Sequence, residues 1–141
     1  MHKIALVVLG AFAAAGSATP ALAAPVTLTA DLTGAHVPSG GDADGTGRFA
    51  GALDVETGDV CFTLSTMQIT APTAAHIHEG AAGVDGKPVV TLTVTGPEDD
   101  SCVAAEPDLL KAIVAQPGNY YVNVHTTDYP KGAVRGQLKG K

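Results

Sequence analysis

Ala75-His76-Ile77-His78-Glu79-Gly80 is answered further along the chain by Tyr121-Val122-Asn123-Val124-His125-Thr126. In a β-strand successive side chains leave on opposite faces, so His76 and His78 emerge together while Ala75 and Ile77 face the other way. In the second segment Tyr120, Val122 and Val124 form the apolar row, which turns Tyr121, Asn123 and His125 to the opposite side. Three of the five histidines thus lie on the non-core face of two strands. Imidazoles converging on the outside of a sheet are a metal-site pattern.

Working outward, the same period of two recurs. Val26 to Thr33 alternates apolar and polar, and Gly34 ends it. Gly47 to Glu56 places Phe49, Leu53 and Val55 on one face; Thr57-Gly58 reads as a hairpin turn into Asp59 to Met67, with Val60, Phe62 and Leu64 inward and Cys61 outward. Thr70 to Thr73 breaks the pattern before the first histidine segment, and Gly80 to Pro88 is a glycine-rich loop after it. Val89 to Thr95 alternates again, Gly96 to Ser101 reads as an acidic loop, and Asn119 to His125 and Ala133 to Leu138 read as the last two strands. Pro107 to Ala115 is the one helical piece, with Pro107 in its first turn, an apolar stripe of Leu109, Leu110, Ile113 and Val114, and Pro117-Gly118 as its stop. About seven short strands with one short helix predict an all-β fold, an antiparallel, Greek-key-like β-sandwich or flattened barrel.

The chain opens with a basic head, Met1-His2-Lys3, an apolar run from Ile4 to Ala15, and Ala21-Leu22-Ala23, which together read as a secretory leader over residues 1–23 cleaved near Ala23. The apolar run is too short to span a bilayer. Residues 24–141 are then expected to form a single domain, extracytoplasmic (periplasmic or secreted) and without a membrane anchor. Without Lys3 that stretch carries 7 basic residues against 14 acidic ones, which argues against nucleic acid or an anionic membrane as partner. Cys61 and Cys102, the only two cysteines, are expected to pair in an oxidising compartment, closing a loop of about forty residues worth roughly 4 kcal/mol.

The residues that could carry chemistry are few. His76, His78 and His125 form a three-imidazole set that leaves an open coordination position, which a catalytic or ligand-exchanging metal needs and a structural zinc site does not. Imidazole serves both copper oxidation states, and at a fixed ligand set copper outcompetes zinc, so one copper ion is expected and zinc is second. Glu79 is either a carboxylate orienting a ligand or a strand-end charge, and Met67 either a soft axial ligand or packing. Glu98-Asp99-Asp100 lacks the spacing of a calcium loop and reads as a solvated turn. Lys131, Arg135, Lys139 and Lys141 gather cations near the C-terminus, and Arg135 is expected on the His125 face, where it would either position a small anion such as superoxide as a catalytic group or pair a surface carboxylate within a solvated basic tail. No hydrolase triad or phosphate loop is found.

Several stretches resemble the chordin-type (CHRD) domain, found in bacterial exported proteins and in the animal protein chordin. They are Leu32-Thr33-Gly34 with Val37-Pro38, Gly45-Thr46-Gly47, Leu53 to Gly58, Ala75 to Gly80, Tyr120 to Thr126, and Pro130 through Leu138. Together they reach across nearly all of residues 24–141; His36 lies outside them. The resemblance implies the fold more than an activity. His76-Ile77-His78-Glu79 with Gly80 is also similar to the copper-ligand strand of copper/zinc superoxide dismutases, with His125 in the role of the distant ligand. No histidine matches the bridging zinc ligand and no zinc loop is present, so this second likeness implies a copper-only relative.

Three functional readings follow. The first is an exported copper-binding domain, acting either as a superoxide dismutase or as a carrier that exchanges copper with a donor or acceptor protein. The second is a metal-free module binding another exported protein or a polysaccharide. The third is a three-histidine zinc hydratase or hydrolase, for which no general base is evident.

Overall fold

A computed structural model describes residues 23–141. The expected leader, residues 1–23, lies outside the described residues except for Ala23. Nine strands form one antiparallel sheet that curls into a nearly closed barrel: β1 (Val26–Thr33), β2 (Thr46–Asp54), β3 (Asp59–Met67), β4 (Pro72–Glu79), β5 (Pro88–Leu92), β6 (Gly96–Ala104), β7 (Tyr120–Thr126), β8 (Val134–Gln137) and β9 (Lys139–Gly140). Helix α1 (Pro107–Ala115) connects β6 to β7. The order across the sheet is β5-β4-β7-β8-β1-β2-β3-β6, with β9 beside β1. β5 and β6 are consecutive in the chain yet sit at opposite ends of this path, so a seam runs between them.

The alternating pattern explains the core. Leu28, Ala30 and Leu32 of β1, Phe49 and Leu53 of β2, Val60, Phe62 and Leu64 of β3, and Ile77 of β4 are all buried in one cluster with Val122 and Val124 of β7. Phe49 and Phe62 stack at 5.7 Å between ring centroids. Each such side chain contributes about 1.5–3 kcal/mol of burial. α1 caps this core with Leu110 and Ile113, the centre of the stripe read from the sequence. Pro107 starts the helix, where a missing N–H costs nothing.

The acidic stretch and the disulfide take definite places in the sheet. Gly96 to Ser101, read as a loop, falls within β6: Gly96 and Ser101 pair with Leu64 and Phe62 of β3, and the exposed Pro97 to Asp100 bulge out between them. Apolar alternation is missing there because this edge strand has little to bury; backbone pairing and the cysteine register define it. Cys61 and Cys102 do form a disulfide, but Cys102 comes from the adjacent strand, directly opposite Cys61 with a Cα–Cα distance of 4.0 Å. The bridge clips β6 to β3 within the sheet and reaches no separate layer.

Candidate metal centre

β4 and β7 are neighbours, and their register sets the site. His76 pairs with Asn123, His78 with Tyr121, and Ala74 with His125. Residues on one face of such a pair stand within side-chain reach. The rings of His76 and His125 approach to 5.3 Å between centroids, His76 and His78 to 5.5 Å, and His78 and His125 to 5.9 Å. One nitrogen from each imidazole lies within 4.8 Å of the others. The alternation read from the sequence therefore brings His76, His78 and His125 together.

Backbone carbonyls set which nitrogens face inward. His78 Nδ1 donates to the Gly86 carbonyl at 2.9 Å, and His125 Nδ1 donates to the Pro130 carbonyl at 3.0 Å. With protons committed there, both Nε2 atoms carry lone pairs. His78 Nε2 is one of three buried side-chain polar atoms without a hydrogen-bond partner among the described residues. His76 Nδ1 lies 3.4 Å from His125 Nε2. A lone pair buried without a donor is costly, and a cation bound there satisfies it, so the donor set fits a metal ion. Burial lowers the pKa of His76, helped by the neighbouring charges of His125 and His78. Burial also lowers that of His78, against the opposing hydrogen bond to Gly86. Both are kept in the neutral form that ligates.

Two loops wall the face. The hairpin between β7 and β8 supplies Pro130 O to His125 and Lys131 O to the Asn123 amide at 3.1 Å. Gly132, at φ 138°, makes room for that amide, since a Cβ there would lie 2.4 Å from Asn123 Oδ1. On the other side residues 80–87 fold back as a strap. A Cβ on Gly86 would lie 1.5 Å from the Glu79 carbonyl, so only glycine permits this return.

Arg135 takes the expected face, and pairs a surface carboxylate there, but in a covered position. It is on the non-core face of β8, opposite Asn123, but it is only 1% exposed, beneath the strap. Its Nη2 donates to Ala81 O and Val84 O, both at 2.9 Å, and to Gln137 at 3.2 Å, while Nη1 reaches Asp85 at 3.4 Å. A guanidinium so committed does not present its charge to an incoming anion. Tyr121, also on the outer row, is 1% exposed for the same reason. Glu79 is exposed and faces Lys87 at 3.8 Å, the ordinary strand-end charge. Met67 is 67% exposed on β3, which does not adjoin β4 or β7, and His36 is exposed in a 3-10 turn outside the triad. The groups the sequence did not reveal are the carbonyls of Gly86 and Pro130. Their one signal is the glycine spacing of residues 80–86, which marks a chain that turns sharply.

The described chain is a curled antiparallel β-module, clipped by one disulfide, with three outward histidines on adjacent strands. The CHRD domain family matches residues 28–138, and the chain belongs to it. No curated protein and no solved structure is significantly similar to the chain. CHRD domains are extracellular-type modules, which the disulfide fits. Among the described residues no helix is long and apolar enough to cross a membrane.

Proposed function

We propose that this CHRD domain holds one copper ion through His76, His78 and His125 after export and cleavage near Ala23, and that it carries the ion to or from a partner protein. The observation behind this reading is the convergence of three imidazole nitrogens within 4.8 Å, two of them turned inward by carbonyls on their far side. Carbonyl acceptors behind ligand histidines are a recurring feature of metal sites. At this fixed nitrogen ligand set the Irving–Williams order places copper above zinc. Carriage is preferred to superoxide dismutation because Arg135, the residue expected to position superoxide, is spent on the strap.

Metal content by mass spectrometry tests the proposal. Protein exported natively and purified without chelators is expected to hold one copper per chain, lost in the H76A/H78A/H125A variant. No stoichiometric metal, even after copper or zinc loading, sinks the proposal and leaves the metal-free interaction module. A superoxide assay on the loaded protein then separates carriage from dismutation, fast turnover being the result that favours the enzyme.

A further inference from the structure

We propose that Arg135 and Tyr121 form a positioning unit for His78: the guanidinium, stacked behind the phenol ring, ties down the strap whose Gly86 carbonyl selects the His78 tautomer. The proposal deepens the metal-site reading and rests on it for its purpose, though its test needs no metal.

The unit is a three-layer stack. The Arg135 guanidinium carbon lies 3.3 Å from the Tyr121 ring centroid, and the Tyr121 ring lies nearly parallel to His78, 4.9 Å away at 15°. A buried cation is tolerated only where its donors are used. Three of the four acceptors around Arg135, namely Ala81 O, Val84 O and Asp85 Oδ1, belong to the strap. The cation and the strap therefore hold each other. Gln137, the next outward residue of β8, adds a fourth tie by donating to Gly80 O at 3.0 Å.

Gly86 is the point where this support reaches the triad. Its N–H donates to the Tyr121 hydroxyl at 3.0 Å, and its carbonyl accepts from His78 Nδ1 at 2.9 Å. One peptide unit on each side of one residue is thus pinned by the stack and in turn pins the imidazole. An imidazole without an Nδ1 acceptor favours the tautomer with its proton on Nε2, the nitrogen that must stay free to ligate. Releasing the strap would move the proton onto the ligand atom. Lysine cannot replace arginine here, because a point charge cannot reach three strap acceptors and lie flat on a ring at once.

Histidine side-chain ¹⁵N spectra of the metal-free protein above the imidazole titration range provide the test, because they report each tautomer separately. In the wild type both His78 and His125 are expected as Nδ1–H. In R135K, His78 is expected to change to Nε2–H while His125, whose acceptor Pro130 O belongs to the other loop, stays Nδ1–H. Copper affinity should fall about 10- to 100-fold, the usual effect of losing a ligand's support. An unchanged His78 in R135K overturns the proposal, and so does a change at both histidines, which would signal general loosening. Should R135K fail to fold, Y121F keeps the ring and removes only the hydroxyl hold on Gly86, and the same comparison decides. Wild-type protein that shows these tautomers but binds no copper would sink the metal reading alone. Wild-type protein that binds copper while His78 is indifferent to both variants would sink this proposal alone.

Discussion

Nδ1 of His76 and Nε2 of His125 face one another at 3.4 Å across strands β4 and β7. With the His125 proton held by Pro130 O, His125 Nε2 is free to accept from His76 Nδ1–H, and for His76 Nδ1 to ligate a metal that proton would move to His76 Nε2. H125A removes one ligand and this hydrogen bond together while leaving the core row Val122 and Val124 intact. Copper affinity should fall by more than the ~100-fold upper figure for supporting residues, with little change in stability. Competition titration against a copper chelator, beside urea unfolding, measures both. Copper affinity equal to wild type would remove His125 from the ligand set.

His76 and His78 make the metal-free fold sensitive to mild acid. Their pKa values lie below the ordinary imidazole value of 6.5, chiefly through burial, so the unfolded chain takes up protons first as pH falls. Their contribution is flat above about 6.5 and stability is lost from there down to the lowered values. Asp31, held below 3.8 by its hydrogen bond to Lys139, acts only in a more acidic window. Urea midpoints of metal-free protein across this range should fall with pH, and H76N/H78N should flatten the slope. Equal slopes in both proteins would count against the burial argument.

The disulfide and the triad should be separable. Cys61 and Cys102 join β3 to β6, whereas the histidines lie on β4 and β7 in the other half of the sheet order. C61A/C102A should cost about 2–5 kcal/mol of stability yet leave copper affinity within a few-fold of wild type wherever the variant is folded. A matching loss of affinity at folding temperatures would show the two halves to be coupled.

G86A should damage the site from the backbone side. The added Cβ would sit 1.5 Å from the Glu79 carbonyl, so the strap has to move and take its carbonyl away from His78. The expected results are faster amide exchange over residues 80–87 and copper affinity about 10- to 100-fold weaker. Unchanged exchange in the strap would contradict the close approach described above.

How much of this was legible beforehand varies by residue. The strands rich in Val, Leu and Ile were readable because a half-buried strand needs alternation, and His76, His78 and His125 were placed by the same rule. β6 is not, because Pro97, Glu98, Asp99 and Asp100 bury nothing and bulge out between the Gly96 and Ser101 pairings to β3. Arg135 was assigned to the correct face but to the wrong environment: periodicity gives the side a residue leaves from, and says nothing of a loop folding over it. Gly86 and Pro130 act through carbonyls that every residue possesses; the identity of Gly86 marks only the close return of the strap, and that of Pro130 carries no mark of its role.

His76 and His125 are 49 residues apart in the chain and meet only through the β4–β7 ladder. An unfolded polypeptide has no such ladder and hence no chelating pocket. The three-imidazole set is consequently a property of the folded chain alone: until the ladder closes, the sequence carries separate imidazoles and no chelating group.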